Sequence, residues 1–538
     1  MARNILLTEN FKELIETNSI YADKTNLVKD ILNRKVVLYT RPRRFGKTLN
    51  MSMLYYFFSN QEDSFNLFKD LNIAKDTETM KHMNQYPVIS ISLKELTRKN
   101  FKLQISEFIN NVVYNLCDKH RYLLNSDNLE AEEKSLFDKY LKRNITEDEL
   151  SSVLYNLSRM MYKHFNSEVI ILIDEYDVPL RYAHQYGYYD DMLDFIRSLF
   201  SSALKTNNYL YKGIMTGCLR IAKESVFTGL NNFETDSMLN KNREAYFGFT
   251  EDEVKSILDE YDMPEKFKDI KDWYDGYLFG NIEVYNPWST LKYIKESYSQ
   301  DITEPVSYWA NTSGNDIIYD YIKNDTGGLR KQFEMLTNGE TLKKYINEQL
   351  TYRDLDNPDN IFSFLLSTGY LKATGKNSDG NYNLVIPNKE VRKIYLDSFN
   401  EYFRDYTRTN TPELVKALTN GEEEKANEIL NGILRANLSY YDNSEAFYHG
   451  FVLGTLDLYT TISNVEAGEG RLDIRLEDDK TGKTIVLELK HSKHANDLEK
   501  DAELAVKQIK DKHYLKANEQ GYGISFNRKK CCLKKCDL

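Results

Sequence analysis

Cysteine, proline and tryptophan are scarce in this chain of 538 residues, which holds five, nine and three of them. Cys117, Cys218, Cys531, Cys532 and Cys536 are too few and too unevenly spread to frame a fold of this size with disulfides. That pattern points to a reducing compartment, and a cytoplasmic location is expected. Three of the five crowd into the tail "CCLKKC", yet no second Cys/His pair stands at zinc-finger spacing. No stretch approaches about 18 consecutive apolar residues, and the opening "MARNILLTENFKELIETN" is broken by acids where a signal peptide needs an apolar core. Neither a membrane span nor an export signal is therefore expected. Positive charge is in deficit, with a net charge of −11, which excludes a uniformly basic nucleic-acid coat but leaves room for a local patch. Residues 501–538 hold nine Lys/Arg against five Asp/Glu, so that end is locally basic.

What is present is an ordinary globular composition, 41% hydrophobic and 28% charged, at a length that admits several domains. "KVVLYT" (35–40), "YPVISISL" (86–93), "EVIILID" (168–174) and "YLYKGIMTG" (209–217) read as buried strands, with helical patterns between them. Alternating strands and helices over the first 240 residues predict an α/β domain with a largely parallel sheet, whose ligands belong at the carboxyl ends of the strands. From Phe249 the pattern turns to helices with loops, and Thr250 with Glu253 has the spacing of a capping box. "NIFSFLLSTGYLKATGKNSDGNYNLVIPN" (360–388) reads as helix, strand, Asp-Gly turn and strand, the end of a winged-helix unit. The final hundred residues read as a helix from Glu445, two strands "GRLDIRLE" and "TIVLELK", and a helix from Leu498.

The stretch "TRPRRFGKTLN" (40–50) sits between the first strand and a helix, the context of a phosphate-binding loop. Gly46, Lys47 and Thr48 supply helix-terminal N–H groups, a lysine for phosphate oxygens and a hydroxyl for Mg²⁺. Arg41 stands where the motif wants its first glycine, so Arg41, Arg43 and Arg44 are candidates to neutralise phosphate charge directly. The strand "IILIDE" presents Asp174 to hold Mg²⁺ through water and Glu175 to orient and deprotonate an attacking water. Thr216 and Arg220, at the next strand end, are either sensors of a γ-phosphate or ordinary strand-end polar residues.

A second constellation lies near the C-terminus. Asp473 on one strand of a hairpin meets Glu488 and Lys490 on the other, the latter two on one face by period-two alternation. Two carboxylates can hold Mg²⁺ or Mn²⁺ against a phosphodiester while the lysine stabilises developing charge. The same pattern also fits a salt-bridged exposed hairpin, although "TIVLE" is an apolar strand and favours the metal reading. Glu445 could add a metal ligand, and Gln508 could orient water or substrate.

Together "YADKTNLVKDIL", "LYTRPRRFGKTLNMSML", "LIDEYDVPL", "MTGCLRIAKESVFTGLNNF", "WYDGYLFGNIEVYNPWS", "YWANTSGND" and "GRLDIRLEDDKTGKTIVLELK" resemble the bacterial AAA-ATPase-like proteins that carry a C-terminal PD-(D/E)XK nuclease-superfamily domain. The resemblance implies that the Arg-Pro-Arg-Arg form of the loop is usual for the family. It gives nucleotide roles to Lys47, Thr48, Asp174 and Glu175, nuclease roles to Asp473, Glu488 and Lys490, and supporting positions to Glu445 and Gln508. The expectation is a multidomain α/β chain: a P-loop ATPase domain at 1–240, a helical lid at 241–330, a helical and winged-helix-like region at 331–436, and a restriction-endonuclease-like α/β domain at 437–538. The expected activity is an ATP-gated, metal-dependent nuclease acting on DNA, with a homo-oligomer open. Two alternatives stand beside it. One is a nucleotide-driven switch or scaffold whose last domain binds without cutting; the other is an NTP-hydrolysing signalling protein that reads protein partners.

Overall fold

The computed structural model describes residues 2–220, 233–240, 245–300, 304–309, 316–324, 328–437, 445–456, 459–467, 470–478 and 481–537. The chain divides into two compact units: residues 1–315 with 326–328 and 335–394, and residues 316–325 with 329–334 and 395–538. The four blocks read from the sequence are thus grouped into two, and the division falls inside one long helix, Lys389–Asn420.

The first unit is built on a five-stranded sheet in the order β2-β3-β4-β1-β5, with every pairing parallel. Its strands are β1 (Val36–Thr40), β2 (Val88–Ser92), β3 (Val169–Asp174), β4 (Leu210–Gly217) and β5 (Phe233–Asp236). All of β1 and β3 is buried, which explains why they read as unbroken apolar runs rather than as alternating ones. Helices α1 (Lys47–Phe58), α2 (Val153–Phe165), α3 (Val178–Tyr186) and α4 (Tyr189–Phe200) belong to the crossovers. Because β4 is inserted between β1 and β3, the loops leaving β1 and β3 flank its carboxyl end. That placement brings the phosphate-loop sequence, the Asp174–Glu175 pair and Thr216 to one edge.

Beyond the sheet, α5 (Glu251–Glu260) starts with the predicted capping box, formed in both directions by Thr250 and Glu253. With α6 (Phe267–Tyr274), a small hairpin of β6 (Tyr277–Phe279) and β7 (Ile282–Val284), and α7 (Pro287–Gln300), it makes a layer. Its core takes in Ile5 and Ile20 of the N-terminal segment. Farther along, β8 (Leu342–Lys344), α8 (Ile361–Thr368), β9 (Lys372–Lys376) and β10 (Tyr382–Val385) give one helix and a three-stranded antiparallel sheet in the order β8-β10-β9. The helix, strand, turn and strand read from 360–388 are therefore present.

The second unit carries a mixed five-stranded sheet in the order β11-β12-β13-β14-β15. Its elements are α9 (Glu423–Asn437), α10 (Glu445–Thr455), β11 (Thr460–Ala467), β12 (Gly470–Asp478), β13 (Lys483–His491), α11 (Leu498–Asp511), β14 (Gln520–Asn527) and β15 (Lys530–Cys536). Only β13 and β14 are parallel, and α11 is their crossover. On β13, Ile485, Leu487 and Leu489 join the core shared with α9 and α10, while Val486 packs with Ile509 of α11. Period two therefore turns Glu488 and Lys490 toward the α11 face. Gly523, the register partner of Glu488, is where α11 presses closest: a Cβ there would lie 2.4 Å from the Ala502 carbonyl oxygen.

The reading of the tail stopped at α11, and the structure adds β14 and β15. The three cysteines of "CCLKKC" lie on β15, where Cys531 and Cys536 join cores on opposite faces of the sheet, so they do not converge. Burial pushes the Cys531 thiol well above its ordinary range. Among the described residues no helix is long and apolar enough to cross a membrane.

Candidate active sites

In the first unit the site begins with the loop 41–46. Gly46 adopts φ +82° and caps α1, aiming its first N–H groups into the loop. Arg44, at φ +71°, also adopts the left-handed conformation. Lys47 is buried, and its Nζ donates to the carbonyl oxygens of Arg41 and Pro42, each at 3.1 Å, and lies 3.3 Å from Glu175 Oε1. Burial works to lower the pKa of Lys47, but Cys218 and the carboxylates of Glu175, Asp177 and Asp174 outweigh it and raise it. The lysine stays charged, and an anion entering the loop would compete with Glu175 for it.

Thr48 Oγ1 donates to Asp174 Oδ2 at 2.8 Å, and Thr216 Oγ1 donates to Asp174 Oδ1. Burial, then the charge of Glu175, push the Asp174 carboxyl up to about 6, and the two hydroxyls with Lys47 restrain it. Glu175 sits at φ +52°, a backbone conformation that non-glycine residues seldom adopt, with its N–H directed at Thr216 Oγ1 at 3.4 Å. This acid is thus carried on a strained turn beside the lysine. Thr48 and Asp174 are the residues that would hold a divalent cation, because a hydroxyl and a carboxylate already meet there.

The loop opens on a cavity of about 420 Å³. Arg43, Arg44, Lys47, Thr48 and Glu175 lie at its polar end, and Leu7, Tyr21, Ala22, Phe249, Trp288 and Leu291 give it apolar walls. The Arg44 guanidinium lies over the Trp288 ring at 4.2 Å. A chamber with one polar and one apolar end suits a molecule that is part phosphate and part flat ring.

Two of the candidate residues stand apart from this cavity. Arg41 does not line it. It is 1% exposed, its Nη2 donates to Asp236 Oδ1 at 2.6 Å, its Nη1 donates to the Asp236 carbonyl at 2.7 Å, and its guanidinium lies between the rings of Phe247 and Phe279. An arginine in place of the usual glycine is tolerated because it turns into the core and clamps β1 to β5. Arg220 lines a separate cavity of about 30 Å³ with Cys218 and Glu348, whereas Thr216 does join Asp174.

Sequence reasoning missed Asp177. This buried carboxylate accepts N–H bonds from Cys218 and Leu219, each at 3.1 Å, and the hydroxyl of Tyr352 at 3.2 Å. The spacing Asp-Glu-Tyr-Asp was a signal, since a second acid three residues beyond a strand end seldom lacks a partner.

In the second unit, Ile474 pairs with Leu487, which sets Asp473 opposite Glu488 across the β12–β13 ladder. The Leu489 N–H donates to Asp473 Oδ2 at 2.7 Å, and Lys490 Nζ lies 3.3 Å from Glu488 Oε1. Glu488 is 1% exposed, and its second oxygen, Oε2, is buried with no hydrogen-bond partner among the described residues. Burial, then the charge of Asp473, push its carboxyl up to about 7 against the restraint of Lys490. A buried acid with one orphaned oxygen beside a second acid is the environment a hard cation would complete.

Glu445 opens α10, but its side chain lies outside the described residues. Gln508 stands half-buried on α11 next to Ile509, and among the described residues no hydrogen bond joins it to Asp473 or Glu488. His449, which the sequence reading passed over, brings Nε2 within 3.3 Å of the Asp473 carbonyl oxygen. It is four residues along α10 from Glu445. Among the described residues no group of three or more His, Cys, Asp or Glu stands together as a metal cage.

Two family models match the chain, one around each of these sites. Residues 6–227 match the family model of a predicted AAA-ATPase, and residues 443–535 match that of the PD-(D/E)XK nuclease superfamily. An uncharacterized protein in the vnfD 5′ region of Azotobacter chroococcum mcd 1 is 26% identical over 274 residues, which are 50% of this chain and 47% of that protein. The chain thus spans about half the length of the curated relative it matches. Among solved structures, the Aeropyrum pernix ORC2 protein in ADPNP–ADP complexes is similar over 70% of this chain and 93% of its own, at 10% identity and a TM-score of 0.24. A score that low carries no argument.

Proposed function

We propose that this chain, which pairs an AAA-ATPase-like domain at 6–227 with a PD-(D/E)XK nuclease-superfamily domain at 443–535, is an ATP-gated nuclease that cuts phosphodiester bonds in DNA. The observation that carries the reading is the buried, half-satisfied Glu488 beside Asp473 and Lys490, in a chain that also holds the Lys47–Thr48–Asp174–Glu175 cluster.

At the first site, the N–H groups of the Gly46 turn and Lys47 would hold the phosphates of ATP, Thr48 and Asp174 would hold the cation that accompanies them, and Glu175 is the base placed to take a proton from water. Arg43 and Arg44 lie where further phosphate charge can be met. Thr216 keeps Asp174 oriented and supports the turn that carries Glu175. At the second site, Asp473 and Glu488 are the residues to hold Mg²⁺ or Mn²⁺, with Glu445 as a further ligand and Gln508 orienting water. A bound divalent cation would supply charge stabilisation for a phosphate oxygen and an acidified water. Lys490 neutralises charge that develops on the phosphate. The locally basic C-terminal stretch and the helix-plus-sheet segment 342–385 offer surfaces for nucleic acid, and the latter is the candidate winged-helix reader.

The test follows cleavage of labelled single- and double-stranded DNA with Mg²⁺ or Mn²⁺, with and without ATP, for the wild type, Glu488→Ala and Lys47→Ala. Glu488→Ala is expected to lower cleavage by on the order of a thousandfold and leave ATP turnover intact. Lys47→Ala is expected to abolish turnover and ATP stimulation of cleavage. Cleavage retained in Glu488→Ala sinks the nuclease assignment. Lys47-dependent turnover without any cutting would instead favour a nucleotide-driven switch that binds nucleic acid, the reading to which the acidic net charge lends weight.

A further inference from the structure

Asp177 joins two strand exits. Its Oδ2 accepts the N–H groups of Cys218 and Leu219 in the turn that follows β4, while the Tyr176 N–H donates to the Thr216 carbonyl at 3.0 Å and the Tyr176 hydroxyl donates to the Leu219 carbonyl at 2.6 Å. The packing is so close that a Cβ on Gly217 would sit 2.6 Å from the Tyr176 ring and 2.7 Å from Asp177 Oδ1. These bonds fix where Thr216 stands relative to the Asp174–Glu175 turn.

One further group on Asp177 Oδ2 comes from far along the chain: the hydroxyl of Tyr352, 175 residues on, at 3.2 Å. Tyr352 is 4% exposed, and its neighbours dock the same segment on α3 and α4. Arg353 pairs with Asp190 and lies over the Tyr189 ring, and Asp356 lies 3.4 Å from His184. Among the described residues the other oxygen of Asp177 has no hydrogen-bond partner, so the hydrogen bonds described for this carboxylate all converge on Oδ2. Each bond there matters more than it would on a fully satisfied acid.

We propose that Tyr352 is a positioning residue of the nucleotide site, so that the domain matched at 6–227 is completed by a segment well beyond its end. This rests on the ATPase reading. Tyr352 holds Asp177, Asp177 holds the turn after β4, and that turn sets Thr216 against Asp174 and the Glu175 N–H. The groups that grip phosphate, the Gly46 turn, Lys47 and Thr48, stand on the loop between β1 and α1 instead. Loss of the Tyr352 hydroxyl therefore disturbs the chemical step and spares nucleotide binding.

The experiment measures ATP hydrolysis, ADP affinity and the thermal midpoint on the full chain for the wild type, Tyr352→Phe, Tyr352→Ala and Arg353→Ala. Tyr352→Phe keeps the ring and is expected to lower kcat about tenfold, with KM and ADP affinity within about twofold of wild type. Tyr352→Ala is expected to show the same loss in kcat with a lower midpoint. Arg353→Ala, which removes the Asp190 pair and the contact over the Tyr189 ring but keeps the Tyr352 hydroxyl on Asp177, is expected to hydrolyse at a rate within about twofold of wild type. Unchanged kcat in Tyr352→Phe overturns the proposal, and so does a kcat loss matched by equal losses of ADP affinity and midpoint, which marks a structural role. A wild type with no Lys47-dependent turnover overturns the ATPase reading and this inference together; an active wild type with an unaltered Tyr352→Phe overturns this one alone.

Discussion

Asp174 and Glu488 each close or nearly close a buried strand, and each has a lysine within its cluster, but the protein treats them differently. Both oxygens of Asp174 receive hydroxyl protons, from Thr48 and Thr216, and Lys47 near it is held by two carbonyl oxygens and Glu175. Glu488 has one oxygen facing Lys490, and among the described residues the other has no hydrogen-bond partner. The first acid is oriented by the fold itself, so its cluster stands ready before any ligand arrives. The second is left in deficit, and the deficit is what a cation would relieve. A site of the first kind is pre-organised for positioning; one of the second kind stores an unfavourable charge until its ligand binds.

This contrast can be broken or sharpened in four ways. The largest effect is expected from Arg41→Ala, because it removes the buried partner of Asp236 Oδ1 and leaves Arg34, 3.6 Å from Oδ2, to offset that charge from a more exposed position, at a cost of about 2–4 kcal/mol. Denaturant unfolding of the first unit measures it, and a loss below about 1 kcal/mol would show that the loop is not anchored as described.

Next comes Glu488→Gln in metal-free protein. The folded carboxyl is raised from 4.5 to about 7, so the folded form binds its proton more tightly than the unfolded one. Stability is therefore unimpaired below about pH 4.5, falls as the pH rises, and carries its full penalty above about pH 7. A neutral amide at this position escapes that penalty, so the variant is expected to be about 1–3 kcal/mol more stable than wild type at pH 8, with the gain gone by pH 4. Equal stability across that range would mean that Glu488 is solvated.

A third effect follows from the same titration. Mn²⁺ must displace the proton, so affinity at the second site is expected to weaken about fivefold between pH 7 and pH 6. Calorimetry in a Lys47→Ala background, where nucleotide is not held at the first site, reads it, and a flat profile would break the comparison. The smallest effect is expected from His449→Ala, which frees the Asp473 main chain while Leu489 still holds the carboxylate. Mn²⁺ affinity should drop a few-fold, about 1 kcal/mol, and recover in part in His449→Gln, whose amide can donate to the same carbonyl.

Much of this was legible in the residues. Buried parallel strands announce themselves as continuous apolar runs, and β1, β3 and β4 all did. Helix starts were legible where a cap supplied a local signal, as at Thr250 and Glu253. The strands β14 and β15 were not, because "QGYGISFN" is rich in glycine and polar residues and "KCCLKKC" reads as a charged tail. Gly523 is small there because α11 crosses over it, a demand that arises only when two distant segments meet.

The sequence by itself determined which atoms could do chemistry: the Gly-Lys-Thr helix start, the acids at the end of β3 and within β13, and the lysine two residues past Glu488, since these depend on local period and on side-chain type. Only the tertiary structure decided which of them share a site. It turned Arg41 into the core, set Arg220 in another cavity, and brought Tyr352 to Asp177 from 175 residues away. The physical reason is that burial and partnership are properties of three-dimensional neighbours. An arginine or an acid reads the same in a sequence whether it faces a ligand, a salt bridge or an empty oxygen, and only packing fixes which of these it meets.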